Sequence, residues 1–451
     1  MKKLKLVFAV TMAFLMLLSV ACGGAAVPEN ITPEDDTKEP ETPPVVITYT
    51  VNFSVDGEIF ATKTVEQGKT LTDTVADPEK DGFTFDYWTL NGREINIYTY
   101  VVNSDITFVA SFTELPPPFV PEEISSEEVN SFGAEYVNFY GRTYTNKDGL
   151  ALDHSASAIE FGIIGTSLSA KIYSAKSLFI CIYVDGEFCI RKELAATTKT
   201  YELLSDLSDE YHIIRIVKSN ESADGNIVIE ELTADKFATV PEKRGLKIEF
   251  VGDSITTGKG ITGTSFDEQS YENSDATKTY AYVAADKLGA DYSMVAVTGI
   301  CVEKNIWTNL KMSNVYNQIS AKNAKKYAFD FDPDVVVINL GTNDASYMQR
   351  ENSSYADEFP NDYLALLETV HEKNPNAYII CIYGMMGQNI NVTSGINTAI
   401  SQMKSKYADI RIDRFMAFTE NTGGCKGHPV ERAQKVWGES LANYISKLNL
   451  K

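Results

Sequence analysis

Residues 250–260, with the sequence FVGDSITTGKG, join the end of an apolar run to a series of small polar residues. A buried strand that stops on a serine, with glycines on both sides, is either an ordinary turn or a tight strand-to-helix turn that presents a nucleophile. Ser254 is therefore the first candidate for a catalytic residue, and the rest of the chain has to distinguish between these two interpretations.

The C-terminal part of the chain, residues 242–451, is predicted to be an α/β domain. Its apolar, strand-like runs are LKIEFVG, YSMVAV, PDVVVINLG, NAYIICIYG and IRIDRF. Helical stretches are expected near residues 279–289, 362–374, 397–407 and 431–448. Continuous Val/Ile runs between amphipathic helices are typical of a parallel sheet buried on both faces, which predicts three layers with Ser254 at the carboxyl end of the first strand.

Further polar turns follow this pattern, with TG at 298–299 and GTND at 341–344 after strands and CKGHP at 425–429 before the last helix. Functional loops lie at the carboxyl ends of the strands in such folds, so we expect these turns to lie near Ser254. An ester hydrolase needs a nucleophile, a base and donors aimed at the developing oxyanion. The candidate catalytic residues are Ser254 and His428, and the candidate oxyanion hole is formed by Ser254, Gly299 and Asn343.

The four blocks around Ser254, Gly299, Asn343 and His428 resemble those of the SGNH, or GDSL-like, hydrolases. The resemblance is closer to carbohydrate esterase family 2, which joins an N-terminal jelly roll to the SGNH domain. It is carried by GRTY (141–144), YVDGE (183–187), KIEFVGDSITTGKG (247–260), VVVINLGTNDA (335–345) and GGCKGHP (423–429). The resemblance implies deacetylation of plant polysaccharides such as xylan or mannan.

The block around His428 departs from the pattern of the larger superfamily. Most members carry an aspartate three residues before the histidine, where this chain has Cys425. The family 2 branch often works as a Ser–His dyad with a backbone carbonyl orienting the ring, and we expect the same for His428. Lys426 and Gly427 replace the common pair of aspartate and aromatic residue, and Lys426 is expected to be solvated, with a charge that could lower the pKa of His428.

Two further segments precede the α/β domain. Residues 130–241 contain short strands with regular turns and no convincing helix, which predicts a β-sandwich. The resemblance to carbohydrate esterase family 2 implies that this sandwich is a jelly roll. Residues 115–129 begin with LPPPFVPEE and are predicted to be a proline-stiffened linker.

Residues 47–114 alternate apolar and polar positions around Asp-Gly and Asn-Gly turns, which predicts a small β-domain. The segment resembles one Listeria–Bacteroides repeat of the internalin B type, a β-grasp-like module. The matching features are Gly68, GFTFDYW at 82–88, NG at 91–92 and DITFVASF at 105–112. No cluster of ionisable residues suggests chemistry here, so a spacer or contact module is expected.

The N-terminus has the composition of a secretory signal. Residues 1–21 combine lysines, an apolar run and small residues before Cys22, in a pattern that resembles a bacterial lipobox. Lipid attachment at Cys22 is therefore expected, with plain secretion as the alternative. The Pro-, Glu- and Thr-rich residues 22–46 would then form a disordered tether that holds the protein outside the cytoplasm, anchored to the bacterial cell envelope.

Charge and cysteine content exclude several kinds of partner. The formal net charge of -22 argues against nucleic acid, because an acidic surface repels phosphate. The cysteines after Cys22 are odd in number and fit no zinc spacing, so we expect buried thiols, no metal and no cofactor. His154, His212 and His371 are expected to be structural or solvated, because none follows a strand of the α/β domain.

The sequence leaves three functions open. The leading hypothesis is a lipid-anchored carbohydrate O-acetylesterase that uses a Ser–His dyad on an acetylated polysaccharide or oligosaccharide. One alternative is an SGNH esterase for another acyl ester or a cell-wall glycan. The other is a surface glycan-binding or adhesion protein with an inactive hydrolase domain, which is disfavoured because Ser254, Gly299, Asn343 and His428 are all retained.

Overall fold

The computed structural model describes residues 45–115, 117–243, 245–267, 269–416, 423–448 and 450. The predicted signal segment, Cys22 and almost all of the predicted tether therefore lie outside the described residues. The chain divides into two compact units between Pro118 and Phe119. Within the described ranges, no helix is both long enough and apolar enough to cross a membrane.

The first unit contains one five-stranded sheet with the strand order β2-β1-β5-β3-β4. Its strands are β1 (Thr48–Val55), β2 (Glu58–Glu66), β3 (Phe83–Leu90), β4 (Arg93–Glu94) and β5 (Ile106–Glu114). Asp56 and Gly57, which join β1 to β2, both have positive φ, as the predicted hairpin turn requires. One face of the sheet buries an aromatic core, in which the rings of Phe53 and Trp88 pack edge to face at 4.9 Å between centroids.

The second unit begins with an antiparallel β-domain built around one apolar core. Its strands are β6 (Glu123–Ile124), β7 (Asn138–Tyr140), β8 (Thr143–Asn146), β9 (Gly149–Leu152), β10 (Ala158–Ser174), β11 (Leu178–Val184), β12 (Glu187–Leu194), β13 (Thr198–Leu204), β14 (Tyr211–Lys218) and β15 (Ile227–Ala238). Strand β10 pairs with β14 along its first half and with β13 along its second half. It therefore connects the two parts of this domain, which we call the sandwich.

The start of the sandwich differs from the predicted linker boundary at residue 129. Strand β6 pairs with β15, where Ile124 lies opposite Phe237, and helix α1 (Ser126–Asn130) follows directly. Ser125 and Glu128 form a reciprocal capping box, and Val129 is fully buried. The prediction extended the linker too far because the proline-rich composition outweighed a capping-box signal that was present in the sequence.

The second unit ends in an α/β domain whose sheet is entirely parallel, with the order β17-β16-β18-β19-β20. Its strands are β16 (Lys247–Gly252), β17 (Asp291–Ala296), β18 (Val335–Asn339), β19 (Tyr378–Tyr383) and β20 (Ile412–Met416). Its helices are α2 (Ser254–Thr257), α3 (Tyr280–Lys287), α4 (Met312–Val315), α5 (Thr342–Arg350), α6 (Tyr355–Lys373), α7 (Ile390–Lys406) and α8 (Glu431–Ile445). The multi-domain fold class with a parallel C-terminal sheet is thus confirmed.

Alternate residues of the central strand β18 face two separate cores. Val336 and Ile338 lie in the core that includes residues of α6 and α7, whereas Val335 and Val337 lie in the core that includes residues of α3 and α8. A strand that is buried on both faces needs apolar side chains on both, which explains the uninterrupted VVVI run at residues 335–338. The four predicted helices are present, α2 begins at the strand-to-helix turn considered for Ser254, and α4 and α5 were not predicted.

The sandwich and the α/β domain share buried polar contacts. Arg142, in the turn between β7 and β8, donates to the carbonyl oxygens of Tyr316 and Gln318 at 2.7 Å each. Its guanidinium also pairs with Glu249 of β16 at 3.1 Å, and both side chains are almost completely buried. Removing one partner of such a buried pair costs about 3–5 kcal/mol, so this contact fixes the two domains as one body.

No disulfide joins the described cysteines. Cys181, Cys301, Cys381 and Cys425 are buried, and Cys189 is exposed. Cys181 of β11 lies opposite Arg191, because a β-bulge after Ile182 shifts the register of the hairpin, so it does not face Cys189. Burial raises the pKa of Cys181 and of Cys381 to about 12, so both thiols stay neutral near neutral pH.

Candidate active site

Ser254 is the first residue of helix α2, two residues after strand β16 ends. A Cβ atom on Gly252 would lie 2.0 Å from Oγ1 of Thr256, so the turn closes only around a glycine. Asp253 caps α2 and accepts the N–H of Ile255 at 3.0 Å. The predicted strand-to-helix turn is therefore present, and it places the Ser254 hydroxyl at the carboxyl edge of the sheet.

His428 follows the short 3-10 turn Cys425–Gly427 and faces Ser254. Its Nε2 atom is 2.8 Å from Oγ of Ser254, and its Nδ1 atom is 2.8 Å from the carbonyl oxygen of Cys425. A carbonyl oxygen can only accept, so Nδ1 carries the proton and Nε2 is left with a lone pair toward the serine. This is the tautomer that a general base needs.

No carboxylate of the described residues lies within hydrogen-bond distance of Nδ1 of His428. Cys425 occupies the position at which most SGNH hydrolases carry an aspartate. Its side chain packs against two glycines of the loop after α2. Added Cβ atoms on Gly260 and Gly263 would lie 2.7 Å from Cβ and 2.3 Å from Sγ of Cys425, respectively. A second polar group does reach the ring, since Nε2 of Gln269 is 2.9 Å from Nδ1.

The pKa of His428 lies below its ordinary value, chiefly because the ring is buried. The Cys425 carbonyl opposes this effect, and the positive charge of Lys259 adds to it. Lys426 was expected to supply that charge, but its side chain is exposed and the cation that acts on the ring is Lys259. Lys259 was not predicted to act on the ring because it lies in the block around Ser254 and not in the block around His428.

The candidate oxyanion donors come from three separate segments. The N–H of Ser254 is the first of a helix and has no intrahelical acceptor. Gly299 has a φ of 79° and lies so close to Trp307 that a Cβ atom would be 2.6 Å from Cβ of the tryptophan. Asn343, on α5, donates from Nδ2 to the carbonyl oxygen of Ile300 at 3.0 Å. The structure thus brings all three predicted donors to the edge that carries Ser254.

The loop that carries Gly299 is held by a side chain of the sandwich. Glu221 follows β14, is almost completely buried, and accepts the N–H of Thr298 at 2.8 Å. Its other oxygen is 3.3 Å from Nζ of Lys259, which also pairs with Asp224 at 3.1 Å. No role was predicted for Glu221 or for the loop that carries it. The short polar run SNES at residues 219–222 does not indicate that Glu221 contacts Thr298, which lies 77 residues further along the chain.

Two buried carboxyl groups lie beneath the site. Burial raises the pKa of Asp253 and of Asp344 to about 7 each, and the charge of Asp253 contributes to the shift at Asp344. Asp344 accepts the N–H of Val302 and the hydroxyl of Tyr355, both at 3.2 Å. These contacts tie helix α5, and with it Asn343, to the segment that follows Gly299.

A cleft of about 450 Å³ opens beside the Gly299 loop. It is lined by residues of both domains, among them Glu221, Asp224, Lys259, Thr298, Trp307 and Asn309. Trp307 is 57% exposed, which is unusual for so large an apolar side chain. An exposed aromatic ring beside the Gly299 loop provides a flat apolar surface for a substrate.

The other three histidines are buried in a domain interior or contact side chains outside the site. His154 is completely buried, and burial lowers its pKa to about 4. His212 pairs with Asp185 at 2.7 Å, and the ring of His371 packs edge to face with that of Tyr407. The described residues contain no group of three or more histidine, cysteine or acidic side chains arranged to hold a metal ion.

The chain matches three families along its length. Residues 250–429 match the GDSL-like lipase/acylhydrolase family, residues 139–242 match the carbohydrate esterase 2 N-terminal family, and residues 49–111 match the Listeria–Bacteroides repeat domain. These matches confirm the resemblances that the sequence motifs indicated. The chain therefore carries a GDSL-type hydrolase domain behind a carbohydrate esterase 2 N-terminal domain and a Listeria–Bacteroides repeat.

Similar proteins are family 2 carbohydrate esterases. Cellulase/esterase CelE of Acetivibrio thermocellus is 29% identical over 317 residues, which are 67% of this chain and 38% of CelE. An acetylxylan esterase/glucomannan deacetylase of Cellvibrio japonicus is 22% identical over 58% of this chain and 75% of its own length. The chain thus spans well under half of the length of CelE.

The structure is similar to solved esterases of the same family. A family two carbohydrate esterase from Clostridium thermocellum, in complex with cellohexaose, has a TM-score of 0.65 and 26% identity over 70% of this chain and all of its own. The acetyl xylan esterase Est2A of Butyrivibrio proteoclasticus has a TM-score of 0.64 at 22% identity, which supports the shared fold. Relatives of this chain are therefore carboxylic ester hydrolases of the GDSL type.

Proposed function

We propose that the protein is a carbohydrate O-acetylesterase that uses Ser254 and His428 as a catalytic dyad. The observation that carries the proposal is the pair of contacts at His428, in which Nε2 lies 2.8 Å from Ser254 Oγ and Nδ1 lies 2.8 Å from the Cys425 carbonyl. The carbonyl holds the ring in the tautomer that accepts a proton from the serine.

In the proposed reaction, Oγ of Ser254 attacks the acetyl carbonyl carbon while its proton passes to Nε2 of His428. The carbonyl oxygen becomes an oxyanion, which the N–H groups of Ser254 and Gly299 and the amide of Asn343 stabilise. The imidazolium protonates the sugar oxygen as its bond to the acetyl carbon breaks. Water, deprotonated by His428, then attacks the acetyl-serine, and acetate leaves as Ser254 regains its proton.

The proposed substrate is an acetylated neutral polysaccharide or oligosaccharide of the xylan or mannan type. The formal net charge of -22 disfavours anionic polymers, and the exposed ring of Trp307 beside the Gly299 loop offers a surface on which a sugar ring can stack. Lipid attachment at Cys22 and a position on the bacterial cell envelope, outside the cytoplasm, complete the proposal and rest on the sequence of residues 1–22.

The proposed activity is tested by acetate release from acetylated xylan, acetylated mannan and acetylated peptidoglycan, with p-nitrophenyl acetate as a small reference ester. We expect release from xylan or mannan by the wild-type protein and none above background by Ser254→Ala. Acetate release from acetylated peptidoglycan, without release from xylan or mannan, would instead assign a cell-wall substrate. Binding to the glycans without hydrolysis of any ester would overturn the proposal in favour of a binding protein.

A further inference from the structure

The side chain of Gln269 contacts the nitrogen of His428 that points away from Ser254. Gln269 lies in the segment between α2 and α3, 159 residues before His428, and its Nε2 atom is 2.9 Å from Nδ1. The same Nδ1 atom is 2.8 Å from the carbonyl oxygen of Cys425. Two polar groups from distant parts of the chain therefore converge on one ring nitrogen.

One ring nitrogen cannot satisfy both groups as they stand. If Nδ1 carries a proton, it donates to the Cys425 carbonyl, and the N–H groups of Gln269 then oppose it. If Nδ1 is unprotonated, Gln269 can donate to it, but the Cys425 carbonyl faces a lone pair and the proton sits on Nε2, toward Ser254. All three groups become compatible when the Gln269 amide is turned by half a rotation, so that its oxygen faces a protonated Nδ1.

We propose that Gln269 is a positioning residue for His428, which shares the Nδ1 proton with the Cys425 carbonyl and takes the place that a carboxylate occupies in a Ser–His–Asp triad. This inference rests on the proposed function. Two neutral acceptors on one imidazole N–H favour the reactive tautomer and stabilise the imidazolium that forms when Ser254 is deprotonated. Gln269 acts through the ring and does not touch the reacting atoms.

The charges around the ring set the background for this effect. Lys259 lies on the loop after α2 and lowers the pKa of His428, while Glu221 and Asp224 from the sandwich pair with Lys259. Asp253 caps α2, with a pKa raised to about 7 by burial, and Lys426 is exposed on the histidine's own turn. Because no carboxylate of the described residues reaches Nδ1, a carboxylate introduced at residue 269 would be the first.

Two substitutions of Gln269 should act in opposite directions. Gln269→Glu places a charged acceptor at Nδ1 and should raise the pKa of His428 by about one to three pH units. The acidic limb of the kcat/KM profile should move to higher pH by the same amount. Gln269→Leu keeps much of the volume but removes the acceptor, and it should lower kcat about tenfold with little change in KM. Gln402→Glu, on the exposed side of α7, makes the same charge change away from the site.

The test follows the imidazole nitrogens of His428 by NMR titration of protein labelled with ¹⁵N-histidine, alongside kcat/KM for p-nitrophenyl acetate as a function of pH. The chain has four histidines, and His428→Gln identifies the relevant signal. We expect the His428 pKa to rise in Gln269→Glu, to fall in Gln269→Leu and to stay unchanged in Gln402→Glu. Identical titrations in the wild type and both Gln269 variants would overturn the inference. If the wild type hydrolyses no ester, the proposed function fails, while the titration still decides the role of Gln269.

Discussion

The chemistry assigned to this protein depends on the state of one imidazole. His428 must be neutral to accept the proton of Ser254, and it is buried against a backbone carbonyl instead of a carboxylate. Burial and Lys259 lower its pKa, so the neutral form persists below the ordinary histidine range.

Activity should extend to lower pH than is usual for a histidine-dependent esterase. A base with a lowered pKa stays neutral as the pH falls, so the acidic limb of kcat/KM should lie below the ordinary histidine value of about 6.5. Lys259→Gln removes the nearby positive charge and should move that limb to higher pH. The matched control is Lys147→Gln, which makes the same charge change at a side chain of the sandwich that is 90% exposed. This control should leave the acidic limb of kcat/KM at the wild-type pH. A limb that stays fixed in Lys259→Gln would refute the electrostatic argument.

The thiol of Cys425 should matter far less than its carbonyl. Cys425→Ala leaves the backbone acceptor for Nδ1 of His428 intact and removes only side-chain packing against Gly260 and Gly263. We expect kcat within a few-fold of the wild type, whereas His428→Ala should lose orders of magnitude, because base and nucleophile act as a unit. Steady-state kinetics on p-nitrophenyl acetate compares the two. Equal losses in both variants would mean that the thiol takes part in the chemistry.

The sequence predicted the strands, the main helices and the polar turns that carry the candidate site residues. It did not predict the tertiary contacts between these elements. Ser254, Gly299, Asn343 and His428 could be found because each lies in a short polar turn beside a recognisable strand or helix. All five strands of the parallel sheet were identified from their Val/Ile runs. The groups that tune the site could not be found in this way, since Glu221, Lys259 and Gln269 lie in irregular loops and meet their partners only through the tertiary fold.

The loop after β14 should be needed for turnover, although it belongs to the sandwich. Glu221→Ala removes the acceptor of the Thr298 N–H, and an unsatisfied buried donor costs about 1–3 kcal/mol. We therefore expect a lower melting temperature and about a ten- to hundredfold loss of kcat. Glu221→Gln keeps an acceptor but loses the charge that pairs with Lys259, so it should lose less kcat and shift the acidic limb to lower pH.

Melting curves and pH profiles of both Glu221 variants check this expectation. The loss of kcat should be larger in Glu221→Ala than in Glu221→Gln, because only the alanine variant removes the hydrogen bond to Thr298 beside Gly299. If Glu221→Ala folded normally and turned over like the wild type, the sandwich would have no part in forming the oxyanion loop.

At the scale of the whole molecule, the composition predicted the order of domains better than their borders. The sandwich starts several residues before its predicted limit because β6 and α1 pack on β15 through Ile124 and Val129. Very short elements give weak periodic signals, so proline-rich composition dominated that boundary. The buried Arg142–Glu249 pair between the domains could not be inferred, since GRTY alone does not reveal a partner in a strand 107 residues away.

The anchor is a separate prediction about the whole chain. Cys22 should be the first mature residue and should carry diacylglycerol through a thioether, because Ser19 to Ala21 and Cys22 follow an apolar signal segment. Mass spectrometry of the N-terminal peptide from protein expressed in a bacterial host should show the lipid mass on Cys22. Cys22→Ser should release the protein from the membrane fraction. An unmodified N-terminus downstream of Cys22 would show that the protein is secreted without an anchor.

The activation of Ser254 as a nucleophile by His428 is the basis of the proposed function. It is tested most directly by treating the protein with a phosphonofluoridate ester, which forms a covalent bond to an activated serine with loss of fluoride, and locating the adduct by peptide mass spectrometry. We expect one adduct on Ser254, none in Ser254→Ala, and labelling slowed at least about a hundredfold in His428→Ala. An adduct on another residue, or equal labelling of Ser254 with and without His428, would contradict it.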